Sequence, residues 1–267
     1  MEALLKDTAH LSYKNWSTTE EAAQKLAALL GGPGRGVFDR MFARVLEGGN
    51  FKAALEEAGR RRESSEQRPW IVLVTGLNGI RKTTSVHQPW FRKVLAEALG
   101  EPASSCEKLP DGSNCFFRQL DFMIASLAVT SFRQLYEITE VDAYADMKQA
   151  IFARYRMLAE MLGVLLVRDA SAKRMSIMLE TSGRDIGMFR YVDHFFPGDE
   201  YQKLVLRFTI SDIKYAEHSV DRRMQREMEA GRAALAQNSD ARAIVSVNAG
   251  GPYGSPGLGG VKADSDK

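Results

Sequence analysis

The hydrophobic rhythm of this chain changes near residue 70. Before it, Ala22, Leu26, Leu29 and Leu30 recur on one face, as a 3.6-residue period requires. Ser17-Thr-Thr-Glu20 precedes them as a capping box, with Ser17 accepting a backbone N–H and Glu20 reaching back. Gly31-Gly-Pro-Gly-Arg-Gly36 stops that helix and reads as a linker. Further helices are expected over about 37–46 and 50–58, followed by a solvated polar connection over 59–68.

Past Pro69 the pattern alternates. Trp70-Ile-Val-Leu-Val-Thr75 is a continuous apolar run of the kind found in strands buried on both faces. A helix is expected over 83–99, an irregular stretch over 101–114 and a helical region over 117–136. A long helix follows over 141–162, with Tyr144, Met147, Ile151, Tyr155, Leu158 and Leu162 on one face. Further strands are expected at 174–180, 203–210 and 243–247, with a charged helix at 217–237.

The first strand runs directly into Gly76-Leu-Asn-Gly-Ile-Arg-Lys-Thr-Thr84. This nearly matches the phosphate-binding pattern G-x-x-x-x-G-K-[ST], with Arg81 in place of the second glycine. In such a loop, backbone N–H groups and the helix N-terminus face a phosphate chain. Gly76, Asn78, Gly79, Arg81, Lys82, Thr83 and Thr84 are therefore candidate nucleotide contacts. Lys82 would neutralise β/γ-phosphate charge, and the Thr83 hydroxyl would hold Mg²⁺. The plain alternative is a strand–turn–helix corner. The predicted fold is α/β: a three-layer, P-loop NTPase-type, mostly parallel sheet with a helical N-terminal extension. The boundaries are 1–68 for the extension, 69–250 for the P-loop domain and 251–267 for a loose tail.

Composition narrows the partners. A formal charge of +2 offers no electrostatic case for nucleic-acid binding. No apolar stretch is long enough to span a bilayer, and the acid-bearing start is neither a secretory signal nor a transit peptide. Cys106 and Cys115 form no metal-ligand spacing and no disulfide framework, so a cytoplasmic protein is expected. His87, His194 and His218 are dispersed.

Three further clusters carry chemistry. Glu180-Thr-Ser-Gly-Arg-Asp185 ends the second predicted core strand, on the rim that should also carry the P-loop. Glu180, Ser182 and Arg184 suit a polar, hydroxyl-bearing ligand; a strand end followed by a helix cap is the plain alternative. Arg118 and Asp121, at i and i+3, would share a helix face, as a proton acceptor with a phosphoryl-stabilising guanidinium or simply as a surface ion pair. Arg222 and Arg226, at i and i+4, belong to a basic helix face that either closes over nucleotide or is merely solvated.

In order and approximate spacing, these motifs resemble the zeta-toxin family of P-loop kinases over residues 70–250. That family phosphorylates a sugar hydroxyl of UDP-N-acetylglucosamine. The resemblance makes Phe-Arg-Gln at 117–119 its second element, Glu180-Thr-Ser-Gly-Arg184 its third, and Arg222, Arg223 and Arg226 its lid. Cys115 stands where the family places its catalytic Asp, so Asp121 or Asp111 is left for that task. The expectation is an ATP- and Mg²⁺-dependent kinase acting on a small-molecule hydroxyl, with Lys82, Arg118 and Asp121 catalytic. The alternative is a degenerate nucleotide-binding protein acting through partners, for which the helical N-terminus offers a surface.

Overall fold

A computed structural model of the chain describes residues 2–8, 16–31, 51–64, 68–102, 109, 116–118, 120–182, 187–248 and 250–252. Helices α1 (Glu2–Thr8), α2 (Trp16–Leu29) and α3 (Phe51–Ser64) precede strand β1 (Trp70–Thr75). There follow α4 (Lys82–Ser85), α5 (Pro89–Leu99), β2 (Phe116–Arg118), α6 (Leu120–Leu127), α7 (Val129–Tyr136) and α8 (Val141–Ala172). The described elements end with β3 (Ile177–Thr181), α9 (Gly187–Phe195), β4 (Gln202–Arg207), α10 (Ile213–Ala236) and α11 (Ala241–Val247).

The four strands form a parallel sheet in the order β2-β3-β1-β4. All six residues of β1 are buried, as its apolar run predicts. Alternation along the strand sends Ile71 and Leu73 to one core and Trp70, Val72 and Val74 to the other. The second core is closed by Val86, Phe91, Leu95 and Ala96, from α5 and the turn before it. The first core is larger and takes in α6–α9 together with Ala22, Ala23 and Leu26 of α2. Helix α2 packs along α8, so the N-terminal helices share the core of the sheet. The result is an α/β fold with helices on both faces of a parallel sheet.

Several expected elements differ, each for a local reason. Residues 243–247 are helical, although Ile244, Val245 and Val247 read as strand. The Asp240 carboxylate accepts from the Ala243 N–H at 2.8 Å, capping α11, and Ile244 and Val245 bury against the core. The region read as helical over 117–136 begins as an edge strand, with Phe117 opposite Met178 and Arg118 opposite Leu179. Arg118 and Asp121 therefore share no helix face. The helix expected over 83–99 is two, because Pro89 cannot continue a helix but starts one well as its first residue.

Helix α2 already begins at Trp16, which puts Ser17, the expected cap, inside the helix. Glu20 turns inward, contacting His194 Nε2 at 3.1 Å and pairing with Arg168. Helix α8 runs ten residues past its expected end; Met147 is exposed, while Lys148 is buried in its place. The expected helix over 37–46 lies outside the described residues, as do Cys106, Asp111, Cys115, Arg184 and Asp185.

Candidate functional site

The carboxyl ends of β1 and β3 lie side by side, with Thr75 opposite Thr181. The loop after β1 therefore starts next to the end of β3, where Glu180 sits. The loop needs glycine at two points. Gly76 has φ +136, and a Cβ there would meet the Phe208 carbonyl oxygen at 2.4 Å. Gly79 has φ +85, and its Cβ would meet the Ala216 carbonyl oxygen at 2.6 Å and Val220 at 2.8 Å. The loop is thus held between the chain leaving β4 and the first turns of α10.

Arg81, in the second-glycine position, has φ 61 and ψ 32. This is the left-handed region that an L-residue enters at a cost of about 1–2 kcal/mol. The loop keeps the backbone that glycine would supply, while the Arg81 side chain is exposed. Replacing Arg81 by Gly removes that strain but adds about 0.5–1 kcal/mol of chain entropy to be lost on folding. The expected result is an intact fold, a stability change between about zero and a gain of about 1.5 kcal/mol by urea unfolding, and unimpaired phosphate binding. Weaker binding would identify the guanidinium as a phosphate contact.

Lys82 opens α4 and is 4% exposed. Its Nζ donates to the Leu77 carbonyl at 2.8 Å and stands 3.5 Å from Glu180 Oε1. The Thr83 hydroxyl donates to Glu180 Oε2 at 2.6 Å. One carboxylate from β3 thus engages both polar side chains of the loop's Lys-Thr pair, across 97 residues of sequence. Burial pushes the Lys82 ammonium below the usual lysine range; Glu180 opposes the shift, and nearby Arg223 adds to it.

Asp121 lies in the first turn of α6 and keeps part of its surface accessible. Its surroundings are nonetheless dense enough that desolvation pushes its carboxyl above the usual range. Lys148 opposes this, Glu180 adds to it, and Arg223 and Arg156 oppose it. The Asp121 main-chain oxygen accepts from Asn248 Nδ2 at 3.2 Å.

The remaining predicted residues divide. Asn78 is partly buried in the turn of the loop, Thr84 is exposed on α4, and Ser182 directly follows β3. Arg222 and Arg226 point to solvent from α10, whereas Arg223 is half-buried. Arg223 shares a helical face with Ala216, Val220 and Glu227, and its Nη2 donates to the Gly251 carbonyl at 3.4 Å. Of the three arginines that the resemblance groups as a lid, Arg223 is thus the one turned inward, on the face that also carries Ala216 and Val220.

Helix α10 packs against the core along much of its length. Met224, Glu227, Met228, Gly231 and Ala234 are buried along it. Glu227 accepts from Lys148 Nζ at 2.7 Å on both oxygens and from the Tyr144 hydroxyl at 2.6 Å. The spacing of its charged residues revealed none of this, because Lys148 and Glu227 lie 79 residues apart. Among the described residues no three His, Cys, Asp or Glu side chains group as a metal site, and no helix is long and apolar enough to cross a membrane. No family model, curated protein or solved structure matches this chain.

Proposed function

We propose that the protein is a P-loop phosphotransferase that moves the γ-phosphoryl group of ATP to a hydroxyl of a small metabolite, a sugar-nucleotide in the nearest reading. The observation that carries this is the convergence of Lys82 and Thr83 on Glu180, at 3.5 and 2.6 Å. A lysine and a hydroxyl after a glycine-bearing loop, met by a carboxylate from the adjacent strand, is the arrangement phosphoryl transfer uses. Thr83 and Glu180 are hard oxygen donors on one rim and fit Mg²⁺, which binds through one or two carboxylates and substrate phosphates. When bound, the metal neutralises charge developing on the β- and γ-phosphate oxygens.

The protein's own groups do the rest. Lys82 offsets phosphate charge from inside the loop, and the loop's N–H groups orient the chain of phosphates. Asp121 accepts the acceptor's proton, and its raised carboxyl suits a general base better than an ordinary aspartate does. Ser182, with Arg184 beyond the described residues, would hold the acceptor. Cytoplasmic residence is part of this reading.

The test is acceptor-dependent ADP release against a sugar-nucleotide panel. Transfer should fail as pH falls through the raised Asp121 value, since the protonated carboxyl cannot accept a proton. The acid limb should lie above about 3.9, the ordinary aspartate value. Asp121→Asn should remove that limb and lower kcat by about 10²–10⁴-fold. An unchanged acid limb would exclude Asp121 as the base.

A second reading has its own support. Lys82 is already engaged by Leu77 and Glu180 inside the protein, as suits a protein that responds to nucleotide without turning it over. That protein would be stabilised by ATP yet release no ADP with any acceptor.

A further inference from the structure

Past α11 the chain turns back over the site. Asn248 Nδ2 donates to the Asp121 main-chain oxygen at 3.2 Å. Gly251 is buried, and its carbonyl accepts from Arg223 Nη2 at 3.4 Å. Gly250 has φ +128, and a Cβ there would lie 2.9 Å from Arg223 Nη1. This stretch therefore touches both α6, which carries Asp121, and the inward cation of α10.

Arg223 is well placed to meet an anion in the loop. Val220, one turn earlier on the same face of α10, lies against Gly79. Arg223 is also among the charges acting on both Lys82 and Asp121. We propose that Asn248 and residues 250–252 form a strap that occupies Arg223 and gives way when a phosphate-chain anion enters the loop at 76–83. This rests on the P-loop reading above and adds a self-masking step to it.

Two features make the strap displaceable. The Arg223 bond to it is long and ends on a neutral carbonyl, whereas a phosphate offers charged oxygens that a guanidinium can meet with two parallel bonds. The Asn248 Oδ1 is buried without a hydrogen-bond partner among the described residues, so the seated strap carries an unmet acceptor that release into water would satisfy.

The experiment is hydrogen exchange of the full chain with and without Mg²⁺–pyrophosphate, read at 76–84 and 248–252. The expected result is slower exchange in the loop together with faster exchange in the strap. Gly250→Val places a branched side chain against Arg223 in a backbone region closed to it. In that variant the strap should exchange fast from the start, and pyrophosphate should bind about fivefold more tightly, for the loss of one weak competing contact. Loop protection with no change in the strap would overturn the proposal and leave the P-loop reading standing. So would unchanged or weaker pyrophosphate binding in Gly250→Val. No response at either segment would overturn both.

Discussion

Lys148→Ala is expected to destabilise the protein by about 3–5 kcal/mol, the usual cost of leaving a buried charge without its partner. Lys148 and Glu227 are each about 2% exposed, and they bond through both Glu227 oxygens at 2.7 Å. Removing Lys148 takes both ammonium hydrogen bonds from a carboxylate deep between α8 and α10, to which the Tyr144 hydroxyl still donates. Domains of ordinary size are stable by about 5–15 kcal/mol, so the loss takes a large share of the total and the urea midpoint should fall well below that of the parent protein. Urea unfolding followed by circular dichroism measures this. Replacing the pair with apolar groups separates lost pairing from lost packing. Lys148→Met with Glu227→Leu and Tyr144→Phe should recover most of the stability, because the ammonium, the carboxylate and the hydroxyl that bond to one another are removed together. A triple variant as unstable as the single one would show that the ion pair is not what holds the two helices.

Lys82→Ala is expected to weaken ATP–Mg²⁺ binding at least about tenfold, equivalent to about 1.4 kcal/mol of charge-assisted contact. The ammonium is enclosed by the loop and lies 3.5 Å from Glu180. Without it, the loop loses the buried cation that would offset phosphate charge beside Glu180. The fold should survive, since Glu180 is partly exposed and water can solvate it. Calorimetric titration gives the affinity directly. Equal affinity in both proteins would mean that the loop at 76–83 is not a phosphate site.

The two substitutions probe sites of differing legibility. The Lys82 site was readable because its parts are local: a strand, two glycines and a Lys-Thr pair follow one another within 14 residues, 70–83. Local backbone demands and local chemistry are written in adjacent letters, and β1 formed at the expected residues. The ion pair was not readable, since nothing near Lys148 or Glu227 marks it as the inward member of a charged helix. Only the approach of α8 to α10 decides which charges are desolvated.

By itself, the sequence determined the class of fold, the position of β1 and the place of the glycine-bearing loop with its Lys-Thr pair directly after it. Hydrophobic period and glycine placement act over a few residues and survive without a partner. Tertiary structure alone decided the rest. Residues 243–247 became a helix because Asp240 caps them and the core receives Ile244 and Val245. Arg118 left its expected helix to pair with β3. Glu180 met Lys82 and Thr83 because β3 inserts beside β1. Each outcome turns on which surfaces meet, and burial free energy between distant segments outweighs local propensities of a few tenths of a kcal/mol per residue.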